Sequence, residues 1–247
     1  MLSQEALRAF WTGPVLESNV IVFFTIVGAL ALGLLVGYER FYHGRAAGMR
    51  TYGLVCMASA ALTVIAGYPA EWFGGQTVLH PGADPTRIIQ GIVTGIGFLG
   101  AGVIMKEGFN ISGLTTAASI WAASVTGVLV GIGFYLAAIL LALMSAFCMV
   151  SVPRLSARLP SRQAIAISLR FAPGHAPDEE AVRGRMLKNG YEMAPGTVVI
   201  AMREGGMEWQ FVAVALNRDS GARISVLSRE MAAFDGIDSF QISHARN

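Results

Sequence analysis

The sequence predicts an α-helical integral membrane bundle of about five transmembrane helices, followed by a small cytoplasmic α+β domain with a ferredoxin-like βαββαβ order. The chain of 247 residues is 54% hydrophobic and 14% charged, and its mean hydropathy is +0.55. Five apolar stretches approach the ~20 residues that a helix needs to cross a bilayer. Residues 1–160 hold 8 Lys and Arg and 6 Asp and Glu, whereas residues 161–247 hold 10 of each kind. The last third therefore has the composition of a soluble domain.

The membrane domain is expected at 19–152, after an N-terminal tail at 1–18 that lacks the pattern of a cleavable signal peptide. Residues 2–11 of this tail are a candidate for a short interfacial helix. The expected spans cover residues 19–38, 50–67, 87–105, 113–131 and 133–152. Residues 131–133, with the sequence Gly-Ile-Gly, barely separate the last two spans. These form either a tight hairpin, which we favour, or one broken helix.

Basic residues predict the direction of the spans, because cytoplasmic loops carry an excess of Lys and Arg. Alternating sides collect most of the basic residues of the membrane part on one face. They are Arg40, Arg45, Arg50, Lys106, Arg154, Arg158 and Arg162. The other face has only Arg8 and Arg87. We therefore expect the N-terminus and the 68–86 loop outside, and residues 161–247 in the cytoplasm.

Glycines are concentrated in the third span. Its glycines are Gly91, Gly95, Gly97, Gly100 and Gly102. In a membrane, small residues let another backbone approach closely, so glycines on more than one face predict a helix enclosed by others at the functional centre of the bundle. Three GxxxG pairs, for which helix packing is the simplest explanation, are Gly33/Gly37, Gly91/Gly95 and Gly127/Gly131.

The fourth span carries a small polar stripe. Thr115, Ser119, Ala122 and Thr126 share one helical face by their spacing of three and four residues. Their hydroxyl groups either return hydrogen bonds to their own helix or line a narrow polar pathway. The sequence leaves both interpretations open.

Charged residues of the membrane domain lie at its edges. Asp84 and Pro85 form a good helix start, with the aspartate as N-cap. Glu39 is an anion at a helix C-terminus, where the helix dipole disfavours it. It needs a cation, for which Arg50 or Arg40 is the natural choice, and we predict a Glu39–Arg50 ion pair between the first two spans. The alternative is that oxygen atoms of Asp84 or Glu39 bind Mg²⁺, which is the one possible cofactor.

Several classes of function find no support in the sequence. The four histidines are scattered without ligand spacing, which argues against a zinc site. No serine or cysteine has a recognisable nucleophile context, so we do not expect an enzyme. The balanced charge of the soluble part argues against nucleic-acid binding.

A basic linker at 153–162 is expected to lead into the cytoplasmic domain at 163–247. The predicted strands are 163–171, 197–203, 208–216 and 237–243, and the predicted helices end at 189 and span 220–234. The order β-α-β-β-α-β is the ferredoxin-like arrangement. Its open sheet edges often pair, and the GxxxG pairs exceed what five helices need, so we expect a homo-oligomer.

Four long motifs, which cover most of residues 30–130, resemble the MgtC/SapB family of bacterial membrane proteins. They are GLLVGYER at 33–40, RAAGMRT at 45–51, DPTRIIQGIVTGIGFLGAGVI at 84–104 and GLTTAASIWAASVTG at 113–127. The cytoplasmic domain resembles the ACT-like C-terminal domain of MgtC-type members by its element order. This chain has Gly91 where a glutamine is common in the family, so a role for that glutamine is not carried over.

The resemblance implies a bacterial inner-membrane protein that serves adaptation to low magnesium and, in pathogens, survival inside host phagocytes. Members are thought to restrain the F-type ATP synthase, and others are described as magnesium transporters. The family motifs point to polar residues without settling their roles. These are Glu39, Arg40, Arg50, Thr51, Asp84, Arg87, Thr115 and Thr116. Ser119 joins them as a candidate from the polar stripe.

Two functions remain open. In the first, the protein regulates another membrane complex, such as the F-type ATP synthase, and its glycine-rich faces are partner surfaces in the lipid bilayer. In the second, an oligomer of the protein transports Mg²⁺, because five spans are few for a complete path in one subunit. Few buried carboxylates are available, although pores lined by hydroxyl and carbonyl groups need no buried charge.

Overall fold

The computed structural model describes residues 11–45, 47–69, 72, 84–107, 110–159, 162–175, 177–203, 205–217 and 220–244. They form two compact units. The first comprises the described parts of 1–104 and 113–156, and the second those of 105–112 and 157–247. Apart from Trp11, the candidate interfacial helix lies outside the described residues, as does most of the 68–86 loop.

Within the described residues, five helices are long and apolar enough to cross a membrane, as predicted. They are α1 at Gly13–Tyr42, α2 at Met49–Gly67, α3 at Pro85–Val103, α4 at Leu114–Gly131 and α5 at Tyr135–Arg158. A hairpin of β1, Met105–Glu107, and β2, Asn110–Ser112, connects α3 to α4. Helix α1 begins inside the expected tail, and α5 continues past Pro153, so the expected linker is helical as far as Arg158. A proline inside a helix removes one backbone hydrogen bond, and its ring crowds the carbonyl group four residues before it.

Helices α2 and α4 form the centre of the first unit. Within their apolar windows, 50% of α4 and 39% of α2 is buried, against 11% of α3. An added Cβ at Gly127 of α4 would overlap the Cys56 carbonyl oxygen, and one at Gly131 would lie 2.7 Å from Thr63 Cβ. The two helix backbones are therefore in direct contact, and this GxxxG pair is a packing contact.

Helix α1 packs on α2 in the same way. An added Cβ at Gly33 would lie 2.6 Å from the Tyr52 carbonyl oxygen, and one at Gly37 would lie 2.7 Å from Met49 Cα. The C-terminal part of α1 thus meets the N-terminal part of α2, so the two helices are antiparallel.

We expected the glycine-rich helix α3 to be enclosed at the bundle centre. This expectation is wrong, since α3 is the least buried of the five helices. Ile92 and Ile96 pack inwards, and an added Cβ at Gly100 would lie 3.7 Å from Ala117 Cβ of α4. At the other glycines of α3 an added Cβ would find no atom within 4 Å. These are Gly91, Gly95, Gly97 and Gly102. Glycine spacing marks a helix face that allows close approach, but it does not say whether the neighbour belongs to the same chain.

Helices α4 and α5 form the tight hairpin that we favoured over one broken helix. Gly133 has φ +88°, a left-handed conformation that glycine adopts without steric cost. The reversal brings Ala138 of α5 into one buried cluster with Ala29 of α1 and Val130 of α4.

The second unit contains an antiparallel sheet of five strands, with α6 at Glu179–Lys188 and α7 at Ile224–Ala232. The strands are β3 at Ala164–Phe171, β4 at Tyr191–Met193, β5 at Val199–Arg203, β6 at Gly206–Ala215 and β7 at Ile237–His244. Strand β6 pairs with β3 on one side and with both β4 and β5 on the other, and β7 pairs with β3. This is the predicted ferredoxin-like order, except that the second strand is in two pieces.

The sequence predicted a single second strand at 197–203. This prediction is wrong, because the strand is divided into β4 and β5 and β4 was missed. Pro195 has no N–H group to donate to the ladder, and Gly196 has φ +75°. The chain therefore leaves the sheet after Ala194, whose N–H donates to the Val212 carbonyl oxygen at 2.8 Å, and pairs with β6 again from Val199.

Both helices of this unit cover one face of the sheet. Alternate residues of β3 are buried, as the alternation in the sequence predicted. They share one core with buried residues of both helices. This core includes Ile165, Ile167, Leu169, Phe171, Val182, Met186, Leu227 and Met231.

Candidate functional site

A line of buried hydroxyl groups, which we call the polar seam, follows the contact between α2 and α4. It consists of Tyr52, Ser59 and Thr63 of α2 with Ser119 and Ser124 of α4. Tyr52 Oη lies 2.5 Å from Ser119 Oγ, and Ser59 Oγ lies 2.9 Å from Ser124 Oγ. Thr63 Oγ1 donates to the Ser59 carbonyl oxygen at 2.7 Å. These bonds satisfy buried polar groups that would cost about 1–3 kcal/mol each if left unpaired.

Helical spacing places the seam residues together. Tyr52, Cys56, Ser59 and Thr63 succeed each other by four, three and four residues, so they share the face of α2 that meets α4. With a rise of 1.5 Å per residue, the seam extends for about 16 Å along α2. It therefore crosses about half of the ~30 Å hydrocarbon core of a bilayer.

One end of the bundle holds a buried ion pair. Arg40 and Glu39, at the end of α1, have side chains that are 7% and 13% exposed, and Arg40 Nε lies 3.2 Å from Glu39 Oε2. The Nε–H of Arg40 nevertheless donates to Met149 Sδ of α5 at 3.1 Å. Glu39 Oε2 is buried without a hydrogen bond, and it depends on the nearby charge of Arg40. This carboxylate oxygen is the least satisfied polar atom of the candidate site.

A half-open cleft of ≈ 470 Å³ lies at the other end. It is bordered by Thr25 of α1, Thr63 of the seam, Tyr68 after α2, and the α4–α5 turn with Tyr135. Thr25 is only 4% exposed, and Thr63 only 3%. The C-termini of α2 and α4 meet here, and several of their last carbonyl groups already accept hydrogen bonds, among them those of Ile65, Val128 and Val130. The neutral oxygen atoms that the cleft offers are therefore mainly the hydroxyl groups of its threonines and tyrosines, in a mostly apolar surrounding.

The predicted ion pair between Glu39 and Arg50 is wrong. Arg50 is exposed, and among the described residues the arginine paired with Glu39 is Arg40. His43 also contacts Glu39, with its Nδ1 3.2 Å from Glu39 Oε1. Both groups lie within four residues of Glu39 in the chain, at the C-terminal end of α1.

The stripe on α4 is divided between the two interpretations of its hydroxyl groups. Ser119 donates to the Thr115 carbonyl oxygen at 2.7 Å and Thr126 to that of Ala122 at 3.0 Å. These two hydroxyl groups therefore return hydrogen bonds to their own helix, which is the first of the two interpretations that the sequence left open. Ser119 also contacts Tyr52 across the helix interface.

The other family-motif candidates are not brought together. Thr116 is buried, at 8% exposure, whereas Thr51, Arg87 and Thr115 are exposed on the surface of the first unit, like Arg50. Exposed residues of a membrane bundle face lipid, water or a partner.

Asp84 caps α3 as predicted. Its Oδ1 accepts from the Thr86 hydroxyl at 2.6 Å and from the Thr86 N–H at 2.9 Å. These two hydrogen bonds lower the pKa of Asp84 below its usual value, and the bond from the Thr86 hydroxyl group has the larger effect. Within the described parts of the chain, no three or more His, Cys, Asp or Glu side chains are grouped to hold a metal ion. Mg²⁺ binding at Asp84 or Glu39 stays a prediction.

Sequence reasoning missed five residues of the site. Tyr52, Ser59 and Thr63 could have been found from their spacing with Cys56 on one face of α2. Ser124 lies outside the predicted stripe, and nothing in the sequence marks Met149 as the acceptor for Arg40.

The sequence of this bundle is similar to that of a known protein family. The model of the MgtC family matches residues 26–158, which is more than half of the chain. The chain belongs to the MgtC family. The seam and the Glu39–Arg40 pair of this MgtC-family protein lie within the matched residues, whereas β3–β7 lie outside them.

Curated relatives agree with the family match. "Protein MgtC" of Brucella abortus (strain 2308) is 44% identical over 108 residues, which is 44% of this chain and 41% of that protein. "Putative magnesium transporter YhiD" of Escherichia coli (strain K12) is 43% identical over 113 residues, 44% of this chain and 50% of the relative. "Protein MgtC" of Salmonella typhimurium (strain LT2) is 39% identical over 121 residues, 48% of each chain. The chain thus spans about half the length of the curated relatives it matches, and no solved structure gives a significant match.

Proposed function

We propose that this MgtC-family protein serves magnesium homeostasis in a bacterial inner membrane by binding and regulating another membrane complex, such as the F-type ATP synthase. The family match and the five apolar helices support a multi-pass membrane protein. The name of the Escherichia coli relative supports the link to magnesium. In this proposal the N-terminus lies outside, the second unit is cytoplasmic, and the protein acts by binding and not by catalysis.

One observation carries the proposal, namely the uncovered glycine face of α3, which we define as Gly91, Gly95 and Gly102. Their spacing of four and seven residues puts them on one side of the helix. All three are exposed, and an added Cβ would meet no atom of the described residues within 4 Å. Close helix contact in lipid depends on such residues. The inward face of α3 already packs on α4 through Gly100, so the glycine face is available to a helix of another protein.

The test is to fill this face without disturbing the bundle. We expect Gly91→Leu/Gly95→Leu to fold normally, to lose growth at low Mg²⁺, and to reduce co-purification of ATP synthase subunits about tenfold. The matched control is Gly28→Leu, because Gly28 of α1 is also exposed with nothing within 4 Å. Unchanged growth and co-purification in the double variant would refute the proposal.

Mg²⁺ transport by an oligomer is the second candidate, and the cleft favours it. Thr63 belongs both to the cleft and to the polar seam, so neutral oxygen atoms continue from the cleft into the bundle. In vesicles reconstituted with the purified protein, transport predicts Mg²⁺ flux that Thr63→Val reduces. Thr126→Val should not reduce it, since the hydrogen bond that Thr126 makes among the described residues is to its own helix. No flux at any membrane voltage would exclude transport.

A further inference from the structure

The sheet of the second unit has two free edges with different surfaces. Strand β7 ends the sheet on one side, and its exposed side chains are polar, namely Asp238, Ser239, Gln241 and His244. Strand β5 lies on the other side and exposes apolar side chains, with Val199 49%, Ile200 55% and Met202 71% exposed. Exposed edge strands are normally protected by charge, proline or a covering element. Strand β5 contains no proline, and its one charged residue is Arg203 at its end.

Pairing within the sheet fixes which backbone groups of β5 face outwards. Arg203 pairs with Gly206 next to a two-residue turn, and the pair that closes such a hairpin exchanges both backbone hydrogen bonds. Residues 199, 201 and 203 therefore direct their N–H and C=O groups to β6. The Val212 carbonyl oxygen of β6, which accepts from Ala194 on this same side, fits that alternation. The outward groups of β5 belong to Ile200 and Met202.

We propose that β5 pairs antiparallel with β5 of a second copy of this chain, around a two-fold axis at Ala201. In this register Ile200 lies opposite the partner's Met202, and Met202 opposite the partner's Ile200. Each of these pairs exchanges two backbone hydrogen bonds, so the outward groups of both residues are satisfied by four bonds.

The side chains of β5 fit this occupant better than an unrelated strand. Ile200 and Met202 point to the same face, since they are two residues apart, so each apolar side chain meets an apolar one from the other copy. Ala201 is the smallest side chain in β5 and lies on the axis, where a non-hydrogen-bonded pair brings two Cα atoms to about 4.5 Å. A two-fold interface needs a surface that complements itself, and this strand meets the condition.

A cysteine placed on the axis tests the register directly. In full-length protein in detergent, with the exposed Cys148 changed to alanine, Ala201→Cys should form a disulfide-linked dimer under mild oxidation. The control is Val199→Cys, which lies on the same face of β5. The two copies of residue 199 would be about 13 Å apart along the strands, too far for a disulfide. We expect at least about tenfold more cross-linked dimer for Ala201→Cys, and equal amounts for the two variants would overturn the proposal.

Charge substitutions test the side-chain pairing, with the cysteine 201 cross-link as readout. Ile200→Lys/Met202→Lys places like charges opposite each other and should abolish the cross-link. Ile200→Lys/Met202→Glu places each lysine opposite the partner's glutamate and should restore it. Ser239→Lys/Gln241→Lys on β7 should leave the cross-link unchanged. If the Lys/Lys variant cross-links like the unmodified strand, or if the Lys/Glu variant does not recover, a second copy does not occupy this edge. Either result leaves the α3 proposal untouched.

Discussion

Arg40 shows how the bundle holds a charge at the end of a membrane helix. Its side chain is nearly as buried as the hydrophobic core, and its compensation comes from Glu39, 3.2 Å away. The thioether of Met149, a weak acceptor, takes its Nε–H. In such a pair, removing one partner costs more than the pair adds to stability, because the remaining charge is left buried.

Arg40→Ala is expected to lower the free energy of unfolding by about 3–5 kcal/mol. The double variant Arg40→Ala/Glu39→Ala should lose less, since it leaves no uncompensated carboxylate. Arg50→Ala, at an exposed position, should change the stability by less than about 0.5 kcal/mol. Denaturant unfolding in detergent measures all three, and similar losses for Arg40→Ala and Arg50→Ala would contradict the buried ion pair.

We expect Tyr191 to make the second unit sensitive to alkaline pH. Burial raises the pKa of Tyr191 above its usual 10.0, and its hydroxyl donates to the Ala222 carbonyl oxygen at 3.0 Å. The unfolded chain loses this proton first, so the stabilisation is complete below pH 10 and falls as the pH rises towards the raised value.

Unfolding of this unit should therefore become easier above about pH 10, the ordinary tyrosine pKa. Tyr191→Phe should be about 1 kcal/mol less stable at pH 7, because it lacks the hydrogen bond, and its stability should depend less on pH between 9 and 11. Unfolding curves at several pH values, followed at the tyrosinate absorption, compare the two proteins. Parallel pH dependences would show that Tyr191 is not responsible.

At the scale of the helices, equal glycine motifs have different uses. Gly33, Gly37, Gly127 and Gly131 bring α1, α2 and α4 into backbone contact. Gly91 and Gly95 have the same spacing but no neighbour within 4 Å. The difference arises because α4 lies against α2, which leaves α3 at the side of the bundle with one face on α4.

Alanine substitution separates these two uses. Gly127→Ala should destabilise the bundle by about 3 kcal/mol, because its methyl group would overpack against the backbone of α2. Gly95→Ala has open space and should change the stability by less than about 1 kcal/mol. Thermal unfolding in detergent is the measurement, and equal losses would mean that α3 is also enclosed.

At the scale of the whole molecule, the family match covers the transmembrane bundle but not the sheet of the second unit. The matched residues include the bundle centre, whereas β3–β7 form a separate core that the family model does not reach. The proposed partner surface lies on the first unit, and the proposed contact between two copies lies on the second. The two proposals can therefore fail independently.

Much of this architecture could be read from local patterns. Hydropathy located all five spans, since a helix that crosses lipid must be apolar over its whole length. Asp84 was recognised as a cap, because capping depends on a few neighbouring residues. Strand β4 was missed, since it has only three residues and Pro195 obscures its continuation into β5.

Contacts between distant segments could not be read in this way. The sequence showed that Glu39 is an anion in need of a cation, but Arg40 and Arg50 were both plausible partners until the end of α1 was placed. Hydroxyl and glycine patterns likewise recur in several spans, and their partners depend on which helix faces lie together. Span positions follow from the free energy of each segment in lipid, whereas the seam, the cleft and the free face of α3 follow from side-chain packing between segments far apart in the chain.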